Sequence, residues 1–391
     1  MLVGIVGRPN VGKSTFFKAA TLVDVLIANY PFATIKPNHG IGYVKIPDLA
    51  AEFDKVSDPR EGYVKNKQRF VPVELMDVAG LVEGASEGKG LGNEFLNNLA
   101  AADALIHVVD MSGETDSEGK PAEGNYPGAD LKIIENELDL WYSNLLKKAW
   151  KTFSRTMEMQ KTNFAEGVEK QFSGLKVSVD DVKEAILKSG LNPEKPASWS
   201  EEQIAGFARL LRQITKPMII VANKMDRPGS ADNLERMKKE FDYPIIPCSA
   251  ESELSLRQAD KGKLISYVPG DKDFEISGDL NEKQKQALDE VKENLEKYGS
   301  TGVQEVLNKT VFELLKYIAV YPAGSKLVDS KGNVLPDCYL MPPGSTALDF
   351  AYRLHSDIGR DFIKAIQIKT GRAVGKEYVL KQGDGLEIMT K

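Results

Sequence analysis

Apolar and polar positions along the chain fall into two periods. Met1 to Val6 is a compact apolar run closed by Gly7, and FFKAATL after Thr15 repeats its apolar residues at helical spacing. Further apolar runs stand at VPVELM (71–76), which ends at Asp77, at ALIHVVD (104–110), in KPMIIVANKMD (216–226) and in YPIIPCSA (243–250). Short apolar runs separated by helical stretches predict an α/β domain with a mostly parallel sheet and crossover helices.

The fourth of these strands arrives late. Residues 111–215 intervene before it, where a compact crossover needs only about a few tens of residues. They open with a polar loop, SGETDSEGKPAEGN, whose composition marks it as mobile. Leu131, Ile134, Leu138, Trp141 and Leu145 then recur three or four apart. VDDVKEAILKSG reads as another helix, and Ser200 with Gln203 forms a capping-box pattern ahead of a third. Residues 129–214 are therefore expected to be a mainly helical insertion in a domain formed by 1–128 and 215–320. A polar insertion at about 251–300 follows, with its clearest helix at 281–299. An amphipathic helix over 303–318 is expected to close the domain, and YPAGS (321–325) to break the chain. Residues 321–391 read as a small α+β module with strands at CYLM, FIKAIQI, KEYVL and LEIM and a helix at TALDFAYRLH.

Composition narrows the function classes. The 391 residues are 42% hydrophobic and 28% charged, the balance of a soluble globular protein of more than one domain. Fifty-one basic residues against 57 acidic give a net charge of −6, so no global basic field advertises nucleic-acid binding. Cys248 and Cys338 are the only cysteines, which disfavours a disulfide framework or cysteine metal site and fits a reducing compartment. Without an apolar run of membrane length or a leader-like N-terminus, the expectation is a cytoplasmic protein with no membrane partner.

The chemistry lies at the ends of the strands. Gly7-Arg8-Pro9-Asn10-Val11-Gly12-Lys13-Ser14 matches G-x-x-x-x-G-K-[ST] in full. Such glycines let backbone N–H groups turn inward around phosphates, and the following helix points its positive end at them. Lys13 should reach the β- and γ-phosphates and Ser14 should hold Mg2+. Asp77 opens DVAG, where a carboxylate can hold Mg2+ and the Gly80 N–H can contact the γ-phosphate. Asn223-Lys224-Met225-Asp226 follows its own strand. A carboxylate at Asp226 can accept from guanine N1–H and the 2-amino group, whereas ATP would leave it unpaired at a cost of about 1–3 kcal/mol. Cys248-Ser249-Ala250 can place a backbone N–H near the guanine O6. Each tetrapeptide alone reads equally as a loop or cap, but four in this order, each after its strand, point to GTP.

Taken together, GRPNVGKS, YPFATIKPN, DVAGLVEGASEGKGLGNEFL, NKMD and CSA resemble the Obg family of P-loop GTPases. MPPGSTALDFAYRLH and DGLEIM resemble the TGS domain, a β-grasp fold also found in threonyl-tRNA synthetases and stringent-response enzymes. A P-loop GTPase domain, a helical insertion and a terminal TGS module resemble the Obg-like ATPase branch and its GTP-specific relatives. The ATP-preferring branch lacks a standard N-K-x-D, so the complete motif here sets the chain with the GTP-binding relatives. Residue chemistry leaves Thr21 and Thr34 open as the switch threonine; the resemblance implies Thr34, contacting Mg2+ and γ-phosphate. The expected nucleotide contacts are Asn10, Val11, Gly12, Lys13, Ser14, Thr15, Asn223, Lys224, Asp226, Ser249 and Ala250. Lys13, Thr34 and Gly80 are the expected catalytic set, and Ser14, Thr34 and Asp77 the expected Mg2+ ligands.

Many GTPases place a water-orienting glutamine directly after D-x-x-G. Leu81 stands there and cannot orient water, so intrinsic hydrolysis is expected to be slow. In related GTPases lacking that glutamine, an asparagine at the position of Asn10 helps bind K+ beside the phosphates; the alternative is that Asn10 only fixes the loop through backbone bonds. His107, within an apolar strand, reads as a core histidine. The leading function is a monomeric GTP-dependent switch, and family resemblance implies a ribosome or RNA partner. Lys364, Lys369, Arg372 and Lys376 permit this, although such charges also suit a solvated face. A nucleotide-binding adaptor or RNA-binding module with little hydrolysis is the alternative; an ATPase or phosphotransferase ranks below both.

Overall fold

The computed structural model describes residues 1–22, 37–78, 80, 81, 83, 84 and 92–391, except 117, 118, 123 and 325. The chain packs as two compact units, Met1–Gly40 with Glu74–Val306 and Ile41–Val73 with Leu307–Lys391.

The larger sheet contains β1 (Leu2–Val6), β2 (Asn38–Pro47), β3 (Tyr63–Lys65), β4 (Gln68–Asp77), β5 (Ala104–Asp110), β6 (Met218–Asn223) and β7 (Ile245–Pro247). Its order is β2-β4-β1-β5-β6-β7, with β3 paired to β4. The β4–β1, β1–β5, β5–β6 and β6–β7 pairs are all parallel. Strands β5 and β6 are buried along their whole length, as strands covered on both faces must be, which explains their unbroken apolar sequence. Every expected strand of this sheet is present. Two more were not foreseen, β2 and β3. Strand β2 alternates exposed and buried positions, and its His39-Gly40 start dilutes the apolar signal. Asn66 and Lys67, both at positive φ, turn β3 antiparallel into β4.

Helix α1 (Lys13–Thr21) follows β1, and α2 (Gly92–Leu99) precedes β5. The long crossover before β6 is helical, as expected: α3 (Pro127–Gln160), α4 (Phe164–Gln171), α5 (Val179–Ser189) and α6 (Glu201–Thr215). At 34 residues, α3 is the longest element. The Ser200–Gln203 capping box forms on α6, and Ser178 with Asp181 makes another on α5. Trp150, Trp199, Phe164 and Phe207 pack ring to ring at 5.1–6.3 Å, giving the insertion an aromatic core. After β6 come α7 (Ser230–Glu240), α8 (Ala250–Lys261), a hairpin of β8 (Ile265–Ser266) and β9 (Glu275–Ile276), and α9 (Glu282–Tyr298).

The amphipathic helix expected over 303–318 is shorter. Helix α10 (Val303–Asn308) passes into a π-helical turn at Lys309–Leu314, and β10 (Ile318–Pro322) begins where that helix should still run. The Ala319-Val320-Tyr321 stretch is buried in a strand between two partners, and pairing on both edges outweighs its helical spacing. The second unit's sheet runs β11-β10-β14-β12-β13, with β11 (Tyr339–Met341), β12 (Phe362–Gln367), β13 (Ala373–Val374) and β14 (Asp384–Thr390). Helices α11 (Ala347–Leu354) and α12 (Ser356–Arg360) accompany it. KEYVL (376–380) contributes only an isolated bridge, Val379 to Thr346, and the short strand lies earlier at Ala373–Val374.

The sequence reading placed residues 41–73 with the N-terminal domain; their packing places them in the second unit. The buried Arg69 guanidinium donates to the Leu335 and Pro336 carbonyls at 2.9 Å, and Arg60 pairs with Asp329 and Asp337 at 2.8 Å. Among the described residues, no helix is long and apolar enough to cross a membrane.

Candidate nucleotide site

The phosphate loop leaves β1 under tight steric rules. Gly7 has φ 149°, and a Cβ on it would lie 2.4 Å from the Val108 carbonyl oxygen. Gly12 has φ 99°, and a Cβ there would meet the Asn223 amide nitrogen at 2.2 Å. Both positions therefore require glycine.

Lys13 opens α1 and is buried; its Nζ donates to the Arg8 carbonyl at 2.6 Å. Burial pulls the ammonium down to about 8, against the opposing pull of Asp77. Ser14 Oγ donates to Asp77 Oδ2 at 2.9 Å. Asp77 is fully buried, and among the described residues its Oδ1 has no hydrogen-bond partner. Burial raises its pKa, while Lys13, Ser14 and Asn38 lower it. A hydroxyl and a carboxylate with a spare oxygen form the hard-donor pair that suits Mg2+.

Gly80 is buried against the phosphate loop, where a Cβ would sit 2.6 Å from the Pro9 nitrogen. The next residue ties the two segments together, since the Leu81 N–H donates to the Gly7 carbonyl at 3.0 Å. The Leu81 side chain is 1% exposed within the main apolar core, so it packs and orients nothing. Thr34 and the rest of 23–36 lie outside the described residues.

Asn10, at φ 63°, donates its side-chain amide to the Gly119 carbonyl at 2.8 Å. Gly119 itself sits so close that a Cβ would be 2.9 Å from the Pro9 carbonyl oxygen. The polar loop after β5, expected to be mobile, is thus clasped to the phosphate loop. It is further ordered by Asp110, whose carboxylate accepts from Ser112 and Thr115 and pairs with Lys224 Nζ at 2.7 Å.

The base-reading half is joined to the phosphate half through Asn223. Its Nδ2 donates to the Val11 carbonyl at 2.9 Å, and its Oδ1 accepts from the Ala250 N–H at 3.1 Å. Lys224, at φ 62°, turns the chain so that Asp226 reaches the surface. Ser249 Oγ donates to Asp226 Oδ1 at 2.7 Å, fixing that carboxylate beside Ala250. Motifs scattered over residues 7–14, 77–80, 223–226 and 248–250 therefore converge on one sheet edge, at the carboxyl ends of β1, β4, β6 and β7. Thr15 lies in the first turn of α1, directly after Ser14.

His107 is a core residue: it is fully buried in β5, and burial drives its pKa down to about 3. Arg8, Asp110 and Glu137 were missed by sequence reasoning. Asp110 ends an apolar strand just as Asp77 does, and that signal could have found it. Arg8 and Glu137 offered none, because a charged residue in a loop or helix reads as solvated.

Comparison with known proteins finds matches along the chain. Residues 2–138 match the family described as 50S ribosome-binding GTPase, and residues 221–324 match the Obg-like GTPase YGR210-like, G4 motif-containing domain. Residues 319–390 match the TGS domain. The chain is 46% identical to an uncharacterized GTP-binding protein of Methanocaldococcus jannaschii, covering 100% of this chain and 99% of that one. It is 30% identical to the ribosome-binding ATPase YchF of Bacillus subtilis, covering 98% and 97%. The crystal structure of a GTP binding protein from Pyrococcus horikoshii OT3 superimposes with a TM-score of 0.81 at 37% identity, covering 100% of both chains.

Proposed function

The chain belongs to the YchF/Obg-like family of P-loop GTP-binding proteins, and from that premise we propose that it is a GTP-hydrolysing switch whose nucleotide state governs binding to the ribosome. The observation that carries the guanine assignment is the Asn223 bridge. One side chain holds the phosphate loop through Val11 and the base loop through Ala250, and Asp226 stands beside them on Ser249. Guanine supplies two donors to such a carboxylate and adenine supplies none, so desolvation of Asp226 against ATP goes uncompensated. The similar protein of Methanocaldococcus jannaschii carries GTP-binding in its name, in keeping with this reading.

Lys13 binds the β- and γ-phosphate oxygens, exchanging the Arg8 carbonyl for a charged partner. Ser14, Asp77 and Thr34 would hold Mg2+, which would neutralise charge developing on the transferred phosphoryl group. The Gly80 N–H contacts the γ-phosphate, so that the segment it belongs to answers to the nucleotide state. With Leu81 buried in the apolar core, the residue directly after Gly80 does not orient the attacking water, and intrinsic turnover is slow. Asn10 would hold K+ beside the phosphates with its amide oxygen, since its amide nitrogen donates to the Gly119 carbonyl. GTP hydrolysis is expected to run at least about fivefold faster in KCl than in NaCl at equal ionic strength; equal rates remove the K+ role.

The helical insertion and the TGS domain present the partner surfaces, and the protein acts as a cytoplasmic monomer. Relatives named ribosome-binding motivate the partner. Co-sedimentation with ribosomes is expected to be at least about tenfold stronger with a non-hydrolysable GTP analogue than with GDP or without nucleotide. Equal sedimentation in all three conditions would count against the switch.

A further inference from the structure

Helix α3 meets the nucleotide machinery at two points on one face. In its first turn, Asp130 pairs with the Arg8 guanidinium of the phosphate loop, both side chains being 3% exposed or less. Seven residues later, Glu137 Oε1 accepts the Gly84 N–H at 2.7 Å, and Glu137 is 2% exposed. Seven residues are about two helical turns, so both carboxylates lie on the same side of α3. Between them Leu131 and Ile134 enter the core cluster that also holds Val78 and Leu81.

Burying a carboxylate on a helix face is costly unless its partner stays in place, and an apolar residue of equal size would bury without that cost. The Gly84 N–H offsets part of that cost for Glu137, and that part is lost when Gly84 moves away. The same segment is fixed at its other end by the Leu81 N–H on the Gly7 carbonyl. Glu83, within it, also acts electrostatically on Arg8.

We propose that α3 couples the helical insertion to hydrolysis, with Asp130 anchoring the helix to the phosphate loop through Arg8 and Glu137 acting as the positioning residue for segment 80–84. This rests on the GTP-hydrolysis reading above and names how that site is regulated. Coupling of this kind is reciprocal. A partner that shifts α3 withdraws Glu137 from Gly84, and a segment that rearranges around the γ-phosphate releases α3.

The test compares the full chain with E137M, which keeps side-chain volume but no acceptor, and E137Q, which keeps an acceptor oxygen. Three quantities are read: single-turnover GTP hydrolysis, GDP affinity, and amide hydrogen exchange over 80–84 without nucleotide. In E137M, hydrolysis is expected to fall about tenfold and exchange at Gly84 to rise about tenfold, with GDP affinity within about twofold. E137Q is expected to restore most of both. Wild-type exchange and turnover in E137M overturn the proposal, and so does a parallel loss of GDP affinity, which marks a merely structural role. Should the unaltered chain hydrolyse no GTP, the functional reading fails, while exchange at Gly84 still decides whether Glu137 holds the segment.

Discussion

Lys13→Met is expected to lower both GTP affinity and turnover by about a thousandfold or more, because on the proposed reading it removes a buried ammonium set against the phosphates. Among the described residues this ammonium donates to a backbone carbonyl, at 2.6 Å, and burial brings its pKa to about 8 against the pull of Asp77. Polyphosphate replaces that neutral partner with a charged one, so much of the binding energy at this site comes from relieving an under-compensated charge. Wild-type affinity in Lys13→Met, measured by titration with a fluorescent GTP analogue, would remove Lys13 from the site.

The same substitution has a pH signature. The folded value of about 8 lies below the ordinary 10.5, so between those values the unfolded chain holds a proton that the folded chain has lost. Unfolding free energy therefore rises with pH across that window, and the cost of the buried charge is fully present below about pH 8. Lys216 contributes in the same window: it too is lowered to about 8, with Nζ on the Ala100 and Ala102 carbonyls at 2.6 Å. Denaturant titrations of the nucleotide-free protein from about pH 7.5 to 10.5 should show a rise that Lys13→Met reduces and does not abolish.

Asp226→Asn is expected to reduce GTP affinity about a hundredfold and leave ATP affinity within about twofold, collapsing the preference between them. The asparagine oxygen can still accept from Ser249 Oγ, as Asp226 Oδ1 does at 2.7 Å, so the loop keeps its shape. The amide cannot accept both guanine donors, because its second polar atom is itself a donor. An unchanged ratio of GTP to ATP affinity in a competition titration would end the guanine assignment.

Much of this site was legible in the sequence, for a definite reason. Gly7, Gly12, Lys13 and Ser14 act through backbone geometry and charge within one turn of chain, and such local demands write themselves as fixed spacings. Asp77, Asn223 and Asp226 could be placed because each follows an apolar run whose end must lie at the sheet edge. Strand β2 escaped because His39 and Gly40 break its apolar signal, and β10 because its spacing also suits a helix. Thr34 was reached only by resemblance and lies outside the described residues.

By itself the sequence determined a strand–loop–helix phosphate-loop motif, an N-K-x-D motif behind its own strand and a helical insertion, since each rests on interactions between near neighbours. Only the tertiary structure decided which distant groups share a buried bond. Asn223 spans the two halves of the site, residues 41–73 pack with the C-terminal unit, and Asp130 and Glu137 of α3 grip Arg8 and Gly84. In the sequence, Asp130 and Glu137 look like any acids on a solvated helix face. Their meaning comes from burial, which turns an ordinary charge into one that must have its partner.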